Sequence, residues 1–137
     1  MKKNIFNKKN INKDFIINNL LKKLNFNKAE TFNFQNDAAY LKNKLNHNLI
    51  ATNDSIIEDI DFFKKDDPKS IAQKIITSNL SDLSSMGAIP YSYMLNLCLT
   101  SYIDYNWLKI FTNHLLKMQK KYNFFLLGGD LSRSKHL

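Results

Sequence analysis

Apolar positions recur along this chain at two periods. Phe15, Ile16, Leu20, Leu21 and Leu24 fall at helical spacing, so a helix is expected over residues 13–24 with Asn12 as its cap. Asp67 followed by Pro68 is a helix start, and Gly87 with Pro90 is a stop. Between them, at about 100° per residue, Ile71, Ala72, Ile75, Ile76, Leu83 and Met86 gather on one face. Residues 91–99 instead alternate: Tyr91, Tyr93, Leu95, Leu97 and Leu99 point one way, and Ser92, Met94, Asn96 and Cys98 the other. That is a half-buried strand whose second face is free to meet a sheet or a subunit. Trp107, Leu108, Phe111, Leu115, and Met118 or Tyr122 stripe a helix over residues 105–122. Phe124 to Leu127 is a continuous apolar run, as in a fully buried strand.

The remaining segments carry weaker signals. Residues 1–12 form a Lys/Asn-rich lead, expected to be loose. Residues 31–36 read as a linker or short strand, 42–48 as a hairpin connection, 48–53 as a short strand, and 56–63 as an irregular loop. The alternation of helices and strands predicts an α/β (α+β) fold, a mixed sheet with helices packed on one face.

The formal charge of +8 changes this picture little. The excess is lysine spread along the whole chain, with Arg133 the only arginine, whereas nucleic-acid readers concentrate charge and use arginine on bases. No nucleic-acid partner is expected. Cys98 is the only cysteine, which excludes an intrachain disulfide and agrees with a cytoplasmic location. No apolar run approaches the roughly 20 residues of a membrane span, so no membrane partner is expected.

Two polar residues interrupt the apolar face of the 68–85 helix: Asn79 and Asp82. A carboxylate aimed into a core is expensive unless paired or metal-bound. Asp82 is therefore expected to face a polar cavity or a cation, unless the helix end simply reaches solvent there. Asp37 precedes an expected strand, while Asp54 and Asp130 follow one each. Acids converging on one rim suit Mg²⁺, and Gly128 and Gly129 before Asp130 suit a close approach to phosphate. The same residues also suit ordinary turns and caps, so both readings stand. Glu58, Asp59 and Asp61 read as paired carboxylates or as a solvated loop. His47, His114 and His136 lack ligand spacing, and His114 is expected to be structural or exposed. Neither a phosphate-binding loop ending in Lys-Ser/Thr nor a Ser nucleophile elbow occurs.

Asn79-Leu80-Ser81-Asp82-Leu83-Ser84-Ser85-Met86-Gly87-Ala88, with Pro90, resembles the signature helix of the thiamine-monophosphate kinases. Gly128-Gly129-Asp130-Leu131-Ser132-Arg133-Ser134 resembles their second signature. Asp37-Ala38-Ala39 and Thr52-Asn53-Asp54 resemble their earlier acidic motifs in order and spacing. These kinases belong to a superfamily that includes aminoimidazole ribonucleotide synthetase. The resemblance implies the N-terminal-domain fold of that synthetase and the ATP-dependent phosphorylation of thiamine monophosphate to thiamine diphosphate, with Mg²⁺ and ATP required. It implies metal-site positions at Asp37, Thr52, Asn53, Asp54, Asp82 and Asp130. It also implies a nucleotide-binding turn at Gly129 and Asp130, a substrate position at Asp61, and a homodimer closed through the sheet. Three departures accompany it: Gln35-Asn36 replace a Gly-Asp, Asp61 stands where the family has a histidine, and Asn53 stands where it commonly has threonine. Because such kinases are roughly twice this length, the resemblance further implies a partial N-terminal domain over residues 13–137, without the C-terminal domain and with negligible activity alone. The alternatives are a non-catalytic nucleotide-binding or dimerising domain, or another ATP-using enzyme of the superfamily.

Overall fold

The computed structural model describes residues 12–36, 38, 40, 41 and 48–133. Residues 1–11 of the expected loose lead, 42–47 of the expected hairpin connection, and Asp37 therefore lie outside the described residues.

The N-terminal helical run begins where expected. The Asn12 side chain accepts the Phe15 N–H at 2.8 Å, capping α1 (Lys13–Ile16). The run is not one regular helix. It widens to a π turn over Ile17–Leu21 and tightens to a 3-10 turn over Lys22–Asn25. Asn19 explains part of this, because its side-chain amide donates to the Phe15 carbonyl at 2.9 Å and competes with the backbone ladder. Ile16, Leu20, Leu21 and Leu24 are all buried.

The strand or linker expected at 31–36 is instead a kinked 3-10 segment, Ala29–Phe34, with positive φ at Phe32 and Asn33. Thr31 closes it by donating its hydroxyl to the Lys28 carbonyl at 2.7 Å. The strand expected at 48–53 does not form: these residues have no ladder among the described residues. Residues 56–63 are the irregular loop expected, with one isolated bridge between Glu58 and Phe62.

Helix α2 (Pro68–Ser85) has the expected ends. The Asp67 side chain accepts the Lys69 N–H at 2.9 Å. At the other end Gly87 takes φ +64, while Ala88 N–H reaches the Leu83 carbonyl at 2.9 Å and Gly87 N–H that of Ser84 at 3.0 Å. This paired pattern needs the left-handed residue that glycine supplies. The buried face is shorter than expected: Ile71, Ala72 and Ile76 are buried, Ile75 and Leu83 are half-buried, and Met86 is 65% exposed.

Strand β1 (Ser92–Leu99), helix α3 (Tyr105–Tyr122) and strand β2 (Phe125–Arg133) form a parallel crossover unit. The expected stripe of α3 is its buried face, with Leu108, Phe111, Leu115 and Met118 inside and Trp107 and Tyr122 half-buried. Buried Gln119 crosses to the N-terminal run, donating to the Leu24 carbonyl at 2.7 Å. β2 is longer than its apolar run. It continues through Gly128, Gly129 and Asp130, which pair with Met94, Leu95 and Asn96. Leu127 is the extra residue of a bulge between the pairs Tyr93–Leu126 and Met94–Gly128.

Among the described residues the sheet is these two parallel strands, with helices on one face. Tyr93, Leu95, Leu97 and Leu99 join the core shared with α2, α3 and the N-terminal run. The opposite face, with Met94, Asn96 and Cys98, is exposed. Among the described residues no helix is long and apolar enough to cross a membrane.

Candidate functional site

The C-terminal half of α2 is where the expected site residues meet. Asn79 and Asp82 are one turn apart, and the irregular segment bearing Thr52 and Asp54 is bonded to both. Thr52 donates its hydroxyl to Asp82 Oδ2 at 2.9 Å. The Asp54 N–H donates to Asn79 Oδ1 at 3.1 Å, and Asn79 Nδ2 donates to the Ile75 carbonyl at 2.9 Å. Asn53 is exposed between the two anchored residues. Asp82 does not aim into the core: it is exposed, because the buried face of α2 has ended before it. No desolvation cost therefore demands a partner there, and what marks the position is the convergence of oxygen atoms.

Asp130 is placed separately, on β2 and not in a turn after it. Its N–H donates to Asn96 Oδ1 across the strand pair at 3.1 Å. Its carboxylate pairs with Lys13 Nζ at 3.2 Å. The Lys13 ammonium, helped by the Leu131 N–H, holds the Asp130 carboxyl below the usual carboxylate range. Both side chains are solvent-exposed, so screening keeps this pair weak.

The Gly128-Gly129 pair is likewise in the strand. Gly129 has φ +148, and a Cβ there would sit 2.0 Å from the Leu95 carbonyl oxygen. The neighbouring strand alone accounts for this glycine, without a phosphate.

Asp61, the expected substrate position, braces its own loop. Its carboxylate accepts the Ile57 N–H at 2.8 Å and lies 3.9 Å from Lys74 Nζ, which also donates to its carbonyl. Glu58 accepts the Tyr102 hydroxyl, and Lys64 lies 4.4 Å over that ring. His114 is half-buried with an unpartnered Nε2, and burial pushes its pKa down, in keeping with a structural role.

Thr52, Asp54 and Asp82 are hard oxygen donors of the kind Mg²⁺ takes. Among the described residues no three His, Cys, Asp or Glu side chains gather as a metal-holding group, and Asp37 lies outside them. The sequence marks Asn79 as a break in an apolar face and as the first residue of the signature helix, with no role assigned, and gives Asn96 none. The first had a signal, the wrong polarity on its face. The second had none without the strand register.

Residues 35–137 match the family model for AIR synthase related protein, N-terminal domain. The chain is 37% identical over 97 residues to the thiamine-monophosphate kinase of Haemophilus influenzae, covering 71% of this chain and 29% of that protein. It is 37% identical over 99 residues to the thiamine-monophosphate kinase of Synechococcus elongatus, covering 72% of this chain and 30% of that protein. The crystal structure of thiamine monophosphate kinase from Aquifex aeolicus superposes with a TM-score of 0.54 at 23% identity, over 57% of this chain and 27% of that one. The chain thus spans about three tenths of the length of the curated relatives it matches. The small parallel sheet backed by helices, the match to the Aquifex fold and the family match over residues 35–137 together make this chain a member of the AIR synthase related family, through its N-terminal domain.

Proposed function

We propose that this chain contributes the metal- and nucleotide-holding part of a kinase that transfers the γ-phosphoryl group of ATP to thiamine monophosphate, giving thiamine diphosphate. The observation that carries the reading is the Thr52–Asp82 contact at 2.9 Å beside the Asp54–Asn79 contact at 3.1 Å. Two stretches 30 residues apart present oxygen donors at one place, on the motifs that resemble those of the thiamine-monophosphate kinases. Phosphoryl transfer of this kind needs positioning and charge neutralisation more than a protein nucleophile. Mg²⁺ would supply that neutralisation between two anionic phosphates. Asp82, Thr52, Asn53 and Asp54 would hold it, with Asp37 and Asp130 completing the set and Gly129 and Asp130 facing the nucleotide. Thr52 orients Asp82 by donating to one of its oxygens, leaving the other for the cation. Asp130 must exchange its Lys13 partner to take part. Asp61, already engaged in its loop, would contact substrate only after releasing the Ile57 N–H. The exposed sheet face bearing Met94, Asn96 and Cys98 fits a homodimer contact, and the lone unpaired Cys98 fits the cytoplasm.

With so few ligands already together, the 137-residue chain is expected to bind MgATP weakly and to turn over none. Calorimetric titration with ATP tests this. Binding that requires Mg²⁺ and disappears in Asp82→Asn supports the reading, and a further thermal shift on adding thiamine monophosphate supports the acceptor. Binding indifferent to both Mg²⁺ and Asp82→Asn overturns it.

A further inference from the structure

Two asparagines outside the expected ligand set repeat one arrangement. Asn79 on α2 accepts the backbone N–H of Asp54 at 3.1 Å, and Asn96 on β1 accepts the backbone N–H of Asp130, also at 3.1 Å. Each carboxamide reaches from a regular element to the main chain of an aspartate. Asn79 is itself oriented, since its Nδ2 is spent on the Ile75 carbonyl and its Oδ1 must therefore face Asp54. The Asp54 segment has no ladder to hold it, and its neighbours Asn53 and Ser55 are exposed. On β2, Asn96 stands directly across from Asp130 in the register, just after Gly129 with its φ of +148. We infer that Asn79 and Asn96 are positioning residues for the divalent-cation ligands proposed above, fixing the main chain of Asp54 and Asp130 without occupying either carboxylate.

The inference rests on the metal reading above. A neutral amide suits the task, because an acid at either position would put a further negative charge beside the site. A lysine would compete with the cation for the carboxylate, as Lys13 already does at Asp130. Holding ligands by partners that do not touch the metal typically alters metal affinity by about 10–100-fold.

The test is Mn²⁺ binding to the 137-residue chain, read by the electron paramagnetic resonance of free Mn²⁺. Asn79→Leu and Asn96→Leu should each weaken binding by about 10–100-fold while leaving the metal-free thermal midpoint in place. In an Asp54→Asn background, Asn79→Leu should cost nothing further. Equal loss in both backgrounds would show a merely structural role and overturn the inference. Wild-type affinity in both Leu variants, with binding lost in Asp82→Asn, overturns it while leaving the proposed function intact. Failure of the wild-type chain to take up Mn²⁺ overturns both. Should Asn79→Leu not fold, Asn79→Asp keeps the acceptor oxygen. Its Asp54 amide should then exchange with solvent as slowly as in the wild type, and exchange at the unprotected rate would overturn the positioning role.

Discussion

The crossover unit β1–α3–β2 and the segment 48–66 are held in different ways. The first is held by burial. Leu108, Leu115, Phe124 and Leu126 are inside, and the elements begin and end where the apolar pattern changes period. The second packs Ile56 and Phe62 against the edge of the core but carries Leu49, Ile50, Ile57 and Ile60 in the open, and is otherwise held by a few polar contacts to α2 and its own turns. The scaffold is thus specified by a repeated, non-directional force, and the candidate site by single directional bonds. Burial tolerates small errors of position, whereas a hydrogen bond either reaches or does not.

The largest expected break in this contrast is Gly129→Ala. The new Cβ would lie 2.0 Å from the Leu95 carbonyl oxygen and 2.6 Å from its carbon, both main-chain atoms that cannot step aside. The substituted residue would also have to hold a φ of +148. We expect a loss of at least about 4 kcal/mol, or no folded protein, measured by urea unfolding. A loss below about 1 kcal/mol would mean that the two strands part easily, and that the scaffold is less rigid than its burial implies.

Next in size is a matched pair. Leu115 is 0% exposed in α3, and Ile60 is 76% exposed in the 48–66 segment. Leu115→Ala removes buried methyl groups and leaves a cavity, for an expected loss of about 3 kcal/mol. Ile60→Ala should stay within about 0.5 kcal/mol of wild type. Comparable losses would show that Ile60 is covered in solution, so that the segment is held by burial after all.

This division explains what could be read from the chain before any coordinates. Helix α2 emerged with its caps, α3 with its apolar stripe and β1 with its two faces, because burial repeats at the period of the element. The failures have physical causes too. NLIATN looked like a strand, but strand propensity is realised only against a partner. Gly128-Gly129-Asp130 looked like a turn because glycine marks both turns and close strand approaches. For Asp82 the choice between a polar cavity and the solvent stays open in the sequence because the helical wheel does not say where the core stops, and its exposure is the second of those readings. At the site, Thr52, Asp54 and Asp82 were named through their motifs, and the structure joins their segments. The roles of Asn79 and Asn96 depend on which main-chain N–H each meets, and only tertiary contact and strand register show that.

The smallest expected effect probes a polar atom that burial has trapped inside the well-packed unit. Tyr93 lies on the core face of β1, its ring edge-on to Phe124 with centroids 5.3 Å apart. Its hydroxyl is buried without a hydrogen-bond partner, and that burial pushes its pKa far above the ordinary tyrosine value. Tyr93→Phe keeps the ring and removes the orphan, so the variant should be more stable than wild type by about 1 kcal/mol at pH 7. The pH dependence follows from the direction of the shift. The folded state holds the phenol proton more tightly than the unfolded chain does. Its contribution is complete below the unfolded value of about 10 and is lost as the pH rises beyond it. Tyr91 and Tyr102 are also shifted upward, chiefly by burial, and their share of the decline remains in both proteins. The gap in stability between Tyr93→Phe and wild type should therefore widen above pH 10, measured by urea unfolding at each pH. A constant gap would mean that the Tyr93 hydroxyl reaches solvent or finds a partner, and that the core face of β1 is looser than that of α3.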